Sequence, residues 1–253
     1  MKAFWDTPYG HAMLKIERAD KHIADFDERL LSSSDRHGPK LYIDTKTGQK
    51  VLYYGLLDYM LSGELAVITG DAIHNLRSAL DIAWLDIVKT VGSPKGTFSK
   101  FTISSTKPKQ WLEGVLTGKN AGIDPNSRMF DFLVNVVKGY KGGNWDILAL
   151  NDLDIDDKHF LLIPTVAVTS VTGIELENED GTIDCCDIAL PSRHAYRRPI
   201  PFETKLKKNG EVHFSVTFGE GPTKGLEIVP TLKSFSRTVR DIILRFRQLT
   251  QYP

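Results

Sequence analysis

The segment "GDAIHNLRSALD", Gly70 to Asp81, crowds Asp71, His74, Asn75, Arg77, Ser78 and Asp81 into one run with apolar flanks. Its periodicity predicts a helix. At about 100° per residue, His74, Ser78 and Asp81 fall within roughly 80° of Asp71, and Asn75 lies about 40° to the other side. Arg77 sits at the edge near Asp81, while Ala72, Leu76, Ala79, Leu80 and Ala83 fill the opposite arc. Contacts at i,i+3 and i,i+4 bring an imidazole, two carboxylates, an amide and a guanidinium within mutual reach. The stripe is short of Lys and Glu, and Asp, Asn, Ser and His are weak helix formers. Gly70 costs a helix about 1 kcal/mol relative to Ala, which asks for a close backbone approach there. The competing account is a solvated face on which Arg77–Asp81 is an ordinary i,i+4 pair.

A second block, "NDLDIDDKH", runs from Asn151 to His159. Asp152, Asp154 and Asp156 alternate as in a calcium loop. The EF-hand pattern fails, however: Asp157 stands where its turn needs Gly, and Ile163 where it needs Glu. The block reads instead as the C-terminal end of a helix containing Trp145, Leu148 and Leu150. Carboxylates there oppose the helix dipole, by about 0.3–1 kcal/mol each. Lys158, Arg77, a protonated histidine, a metal or a cationic ligand would compensate. The account without a ligand is an Asp154–Lys158 pair and water.

These residues suggest acid–base or metal-assisted chemistry. His74, Asp81, Asp157 and His159 are the candidate catalytic groups; Asp71, Asn75, Arg77, Ser78 and Lys158 are the candidate ligand-binding groups. Mixed nitrogen and oxygen donors would suit Mn, Mg or Zn, so a divalent metal stays open as a cofactor. Ser78, His74 and either Asp71 or Asp81 have the composition of a triad, but a helix interior offers neither a strained nucleophile turn nor an oxyanion hole. No P-loop, HExxH, GxSxG or GxGxxG is present. Arg77, Lys158 and the basic run from Arg193 to Pro199 could hold phosphate. A solvated loop is the plainer account of that run.

The two blocks together resemble an uncharacterised family of bacterial and phage-borne proteins that pair a GDxxHNLRSALD helix with a downstream DKH element. The matching residues are Gly70, Asp71, His74 to Asp81, and Asp157, Lys158 and His159. The resemblance covers about 25 residues. It implies that the blocks meet in space, and it supplies no reaction. A weaker likeness is to HEPN ribonucleases, helical proteins with an Arg, a polar neighbour and a His a few residues on. Here His74 precedes Arg77, the reverse of that order.

The elements that must position these groups are legible from apolar spacing. Tyr9, Ala12, Ile16, Ala19, Ile23, Phe26 and Leu30 form one helical seam. "KLYIDTKTGQKVLYY" reads as a hairpin turning near Gly48. A long helix covers about Glu64 to Val91, with a seam through Leu65, Ile68, Ala72, Leu76, Ala79, Ala83 and Ile87. "TFSKFTIS" reads as a short strand. Helices are expected near Lys109–Leu116, Asn126–Lys138 and Asn144–Asp157, followed by a buried strand at "FLLIPTVAV". Asp180-Gly181 and Asn209-Gly210 are both hairpin signals, because such turns need positive φ. Val212, Phe214, Val216 and Phe218 predict a strand buried on one face. Phe235, Val239, Ile242, Phe246 and Leu249 line a closing helix.

Helices first, then strands, then a helix argues for an α+β fold: long packed helices with an antiparallel sheet built from hairpins. At 253 residues it reads as one domain, helical over about 1–158, β-rich over about 159–222, and closed by a helix over about 230–251. Lysine plus arginine equals aspartate plus glutamate, at 32 each, so net charge does not favour long nucleic acid or acidic membranes. No window reaches the length of a membrane span, and no signal-peptide core opens the chain. Cys185 and Cys186 are adjacent and read as reduced thiols, pointing to a cytoplasmic protein of open oligomeric state. The function expected is recognition, with hydrolysis as an optional further step, of a small phosphate-bearing ligand such as a nucleotide. The alternatives are a non-catalytic interaction or scaffold protein with a structural polar stripe, and an HEPN-like ribonuclease.

Overall fold

The computed structural model describes residues 7–34, 39–54, 59–92, 100–159, 164–189 and 196–251. The fold is α+β. Its helices are α1 (Gly10–Ser34), α2 (Tyr59–Val91), α3 (Lys109–Thr117), α4 (Arg128–Phe132), α5 (Trp145–His159) and α6 (Ile228–Gln251), with a π-helical turn over Leu133–Val137 after α4. The strands are β1 (Lys40–Ile43), β2 (Lys50–Tyr54), β3 (Pro164–Glu177), β4 (Ile183–Ala189), β5 (Tyr196–Pro199) and β6 (Lys205–Phe218).

The α1 and α2 seams bury as their periodicity requires: from Tyr9 to Phe26 and from Leu65 to Ile87, every seam residue is buried. The helices run antiparallel, as three contacts along them show. Tyr9 N–H donates to Asp86 at 2.8 Å, Lys15 Nζ donates to Asn75 Oδ1 at 3.2 Å, and Arg29 pairs with Glu64 at 2.9 Å. α6 crosses α1, where Asp20 accepts from Ser236 and Arg240 at 2.5 and 2.7 Å. α5 is capped by Asn144, whose Oδ1 accepts from Asp146 N–H at 3.1 Å. It is tied to α6 where Asp146 accepts from Ser234 and Thr238. These four helices share one large apolar core.

The strands form two antiparallel three-stranded sheets, ordered β1-β2-β5 and β4-β3-β6. Leu52 and Tyr54 of the first meet Val171, Ile174, Leu176, Ile188 and Val212 of the second in a smaller core. β6 serves both cores: Val212 faces the smaller one, and Val216 and Phe218 join the helical one. Cys185 and Cys186 are free thiols on β4, one exposed and one half-buried. Among the described residues no helix is long and apolar enough to cross a membrane.

Two local expectations are corrected. Asn209-Gly210 does not turn a hairpin; it lies inside the continuous strand β6. Positive φ is needed there, but for a kink: Gly210 (φ 74°) falls opposite Gly173 (φ 69°) between the pairs Thr172↔Glu211 and Ile174↔Asn209. The Asp180-Gly181 hairpin does form, with Gly181 at φ 80°. "TFSKFTIS" makes no strand over residues 100–104, because that segment's backbone bonds to side chains of α2 rather than to a neighbouring strand. Its first three residues, the start of "FLLIPTVAV", and Arg193 to Ala195 of the basic run lie outside the described residues.

Candidate functional site

The two polar blocks meet. α2 and α5 lie antiparallel, and their facing residues make a ladder with steps of three or four residues. At one end the Asp157 carboxylate lies against Gly70, where an added Cβ would sit 2.5 Å from both its oxygens. On the next rung His74 Nδ1 and Asp154 Oδ1 are 3.1 Å apart. On the third, Arg77 Nε donates to Asn151 Oδ1 at 3.1 Å. Gly70 thus supplies the close approach that its helix penalty implied.

Arg77 is the most enclosed member, with 4% of its surface exposed. Besides Asn151, its guanidinium donates to Asp81 Oδ1 at 2.5 Å and to the Phe101 carbonyl at 2.8 Å. Asp81 Oδ1 in turn accepts from Phe101 N–H at 2.7 Å. The ion pair therefore grips both backbone groups of Phe101. An i,i+4 pair on a solvated face contributes a few tenths of a kcal/mol. Here the arginine is buried and bonded on each nitrogen while Asp81 keeps a third of its side chain exposed, so breaking the pair costs toward the low end of the roughly 3–5 kcal/mol of a buried pair.

The Asp154 carboxylate is also enclosed, with its side chain 5% exposed, and His74 and Lys158 satisfy it at 3.1 and 2.5 Å. An ionised carboxylate only accepts, so the His74 proton lies on Nδ1. Nε2 lies 3.4 Å from Ser78 Oγ, on an imidazole whose side chain is 53% exposed, and in the neutral ring it accepts. The order Asp154–His74–Ser78 is that of an oriented base beside a hydroxyl. Ser78 lies within an unbroken helix, away from any strained turn.

Asp71 and Asn75 turn the other way, toward α1. The Asn75 side chain donates to the Asp71 carbonyl at 2.7 Å and accepts from Lys15. Burial holds the neighbouring His22 imidazole below its ordinary value, with Arg18 acting the same way and Asp71 and Asp25 opposing. His159 is exposed at the end of α5, and no hydrogen bond or ion pair reaches it among the described residues. Of the nine candidates, then, His74, Arg77, Ser78, Asp81, Asp157 and Lys158 belong to the α2–α5 seam. Asp71 and Asn75 belong to the α1 side, and His159 stands apart. Among the described residues, no group of three or more His, Cys, Asp or Glu side chains could hold a metal ion.

Sequence reasoning offered Asp154 only as the partner of Lys158, a pair that does form, and it did not foresee the roles of Asn151 and Phe101 or the contact of Asp154 with His74. Asn151 and Asp154 had a signal: Asn151, Asp154 and Lys158 recur at helical steps of three and four, so they share a face. Phe101 acts through its backbone, for which residue type carries no signal. Comparison with protein-family models, curated proteins and solved structures finds no match to the chain.

Proposed function

We propose that this is a recognition protein for a small phosphate-bearing ligand, in which the α2–α5 ladder is frame rather than binding surface. One observation carries the reading. The Arg77 guanidinium is enclosed, and its Nε, NH1 and NH2 groups are all bonded within the chain. An arginine so engaged has little to offer a phosphate; it fixes Asp81 and Phe101, and Phe101 helps to wall a cavity. Arg77, Asp81 and Asn151 on this reading position that wall without touching the ligand.

The line Asp154–His74–Ser78 favours a second reading, hydrolysis with His74 Nε2 as general base. The two readings separate in a thermal-shift panel of mononucleotides, nucleoside triphosphates and sugar phosphates. On the recognition reading, a ligand that raises the unfolding temperature of the wild type raises that of His74→Ala by the same amount, and no ligand is consumed. Turnover that disappears in His74→Ala establishes the hydrolytic reading in its place. Silence across the panel rejects both.

A further inference from the structure

Between α2, the chain over residues 100–107 and the start of α3 lies a cavity of about 370 Å³. Its walls are of two kinds. Trp84, Phe101 and Trp111 supply aromatic surface. Trp84 is buried and stands edge-on to Phe101 with ring centroids 5.7 Å apart, so this wall is fixed, while Trp111 is only half-buried. Phe101 is held from behind by Arg77 and Asp81. Lys100 and Lys107 line the same cavity, both exposed, and among the described residues neither ammonium group is in an ion pair. Among the described residues no Asp or Glu lines it.

The chemistry of this lining narrows what it would take. In a chain whose charges balance at 32 of each sign, two unshared cations on an aromatic cleft are a local excess that suits an anion. Two point charges without a neutralising carboxylate match a dianionic phosphate monoester better than a singly charged carboxylate. Aromatic walls offer a face on which a planar ring can stack. Asn120, also on the lining, presents an amide that both donates and accepts. The volume lies near the lower end of the roughly 300–1,000 Å³ usual for small-molecule sites, enough for one ring system with its sugar and phosphate and too little for a dinucleotide.

We infer that this cavity binds a planar aromatic phosphate monoester of nucleoside-monophosphate size, with the ring on Trp111 and the phosphate between Lys100 and Lys107. The inference rests on the recognition reading and supplies its site. Isothermal titration calorimetry with the four common nucleoside 5′-monophosphates, with the parent nucleosides and inorganic phosphate as halves, tests it. At least one monophosphate should bind the wild type, more tightly than either half. Trp111→Leu should weaken that binding on the order of tenfold, the scale of one lost base–aromatic stack. Lys100→Glu/Lys107→Glu changes only exposed side chains and should keep the wild-type unfolding midpoint while abolishing monophosphate binding. A monophosphate that binds wild type and both variants equally overturns the site and leaves the recognition reading standing. Absence of any monophosphate binding, while another phosphate-bearing ligand still raises the unfolding temperature, also overturns the site alone. Silence of every phosphate-bearing ligand overturns site and reading together.

Discussion

Arg77 and Tyr54 are both polar side chains withdrawn from water, and the two halves of the molecule treat them differently. In the helical half, the Arg77 guanidinium meets Asn151, Asp81 and the Phe101 carbonyl. In the sheet half, the hydroxyl of Tyr54, 1% exposed, has no hydrogen-bond partner among the described residues, and burial raises its pKa to about 12. The helical half thus uses polar groups to fix which face of α2 meets which face of α5. The smaller core between the sheets relies on apolar contact and, among the described residues, leaves that hydroxyl without a partner. Buried polar networks specify an arrangement when satisfied and weaken it when not.

The largest effect should come from breaking the first case. Arg77→Ala leaves the buried Asn151 amide and the one-third-exposed Asp81 carboxylate without their partner, and urea unfolding should show a loss of about 3 kcal/mol, the low end for a buried pair because water reaches Asp81. A loss below about 1 kcal/mol, the scale of an exposed pair, would return the ladder to the status of a solvated face. Gly70→Ala tests the close approach at the far rung. The methyl must displace the Asp157 carboxylate, at a cost of about 1–3 kcal/mol, against about 1 kcal/mol gained in helix propensity. The net result should be a loss of roughly 1 kcal/mol in the wild type and a gain in an Asp157→Ala background. The same sign in both backgrounds would show that the two residues do not oppose each other.

Tyr54→Phe addresses the sheet half. Removing a buried hydroxyl that lacks a partner among the described residues should raise the unfolding free energy measured in urea, by about 1 kcal/mol at most. A comparable fall would reveal a bond to the Tyr54 hydroxyl. The smallest effect belongs to His22, on the α1 side of the stripe. Its folded-state pKa lies below the ordinary 6.5, chiefly through burial. Between those two values the unfolded chain binds more protons, so stability rises with pH; the contribution is complete above 6.5 and is lost as pH falls through the folded value. His22→Gln should flatten the pH dependence of the unfolding midpoint just below pH 6.5. An unchanged slope would assign the pH dependence to other groups.

The seams of α1, α2 and α6 were legible because one buried face repeats at 3.6 residues, and no long-range information is needed to see it. The polar stripe was legible for the same reason, but its partners were not. Spacing along α2 cannot say that Asp154 rather than Asp71 or Asp81 would meet His74, since that choice is made by how α5 packs. The expected pocket lined by His, Asp and Arg was drawn from residue types. Arg77 carries the type of a phosphate ligand and the surroundings of a structural clamp, and only burial separates the two. Trp111, Lys100 and Lys107 gave no sign in sequence, because no short-range pattern joins them. Asn209-Gly210 announced positive φ correctly, although chain reversal is only one of the uses of that conformation.

The facing pair Gly173 and Gly210 bears on how reliably the second sheet assembles. A long antiparallel pairing of β-branched and charged residues can slip by two positions and still keep its apolar side inward, which is the error that leads to strand exchange and aggregation. Here a slip would set a side chain against the kink. A Cβ at Gly210 would lie 2.6 Å from the Thr172 carbonyl oxygen and 2.9 Å from Ile174 Cγ1. An alignment that puts any other residue of β6 in the place of Gly210 therefore meets a steric penalty that the correct one avoids. Gly210, whose place in the strand has no room for a side chain, acts as a register lock on the strand pair that links the two cores, while Gly173 opposite it contributes only its positive φ.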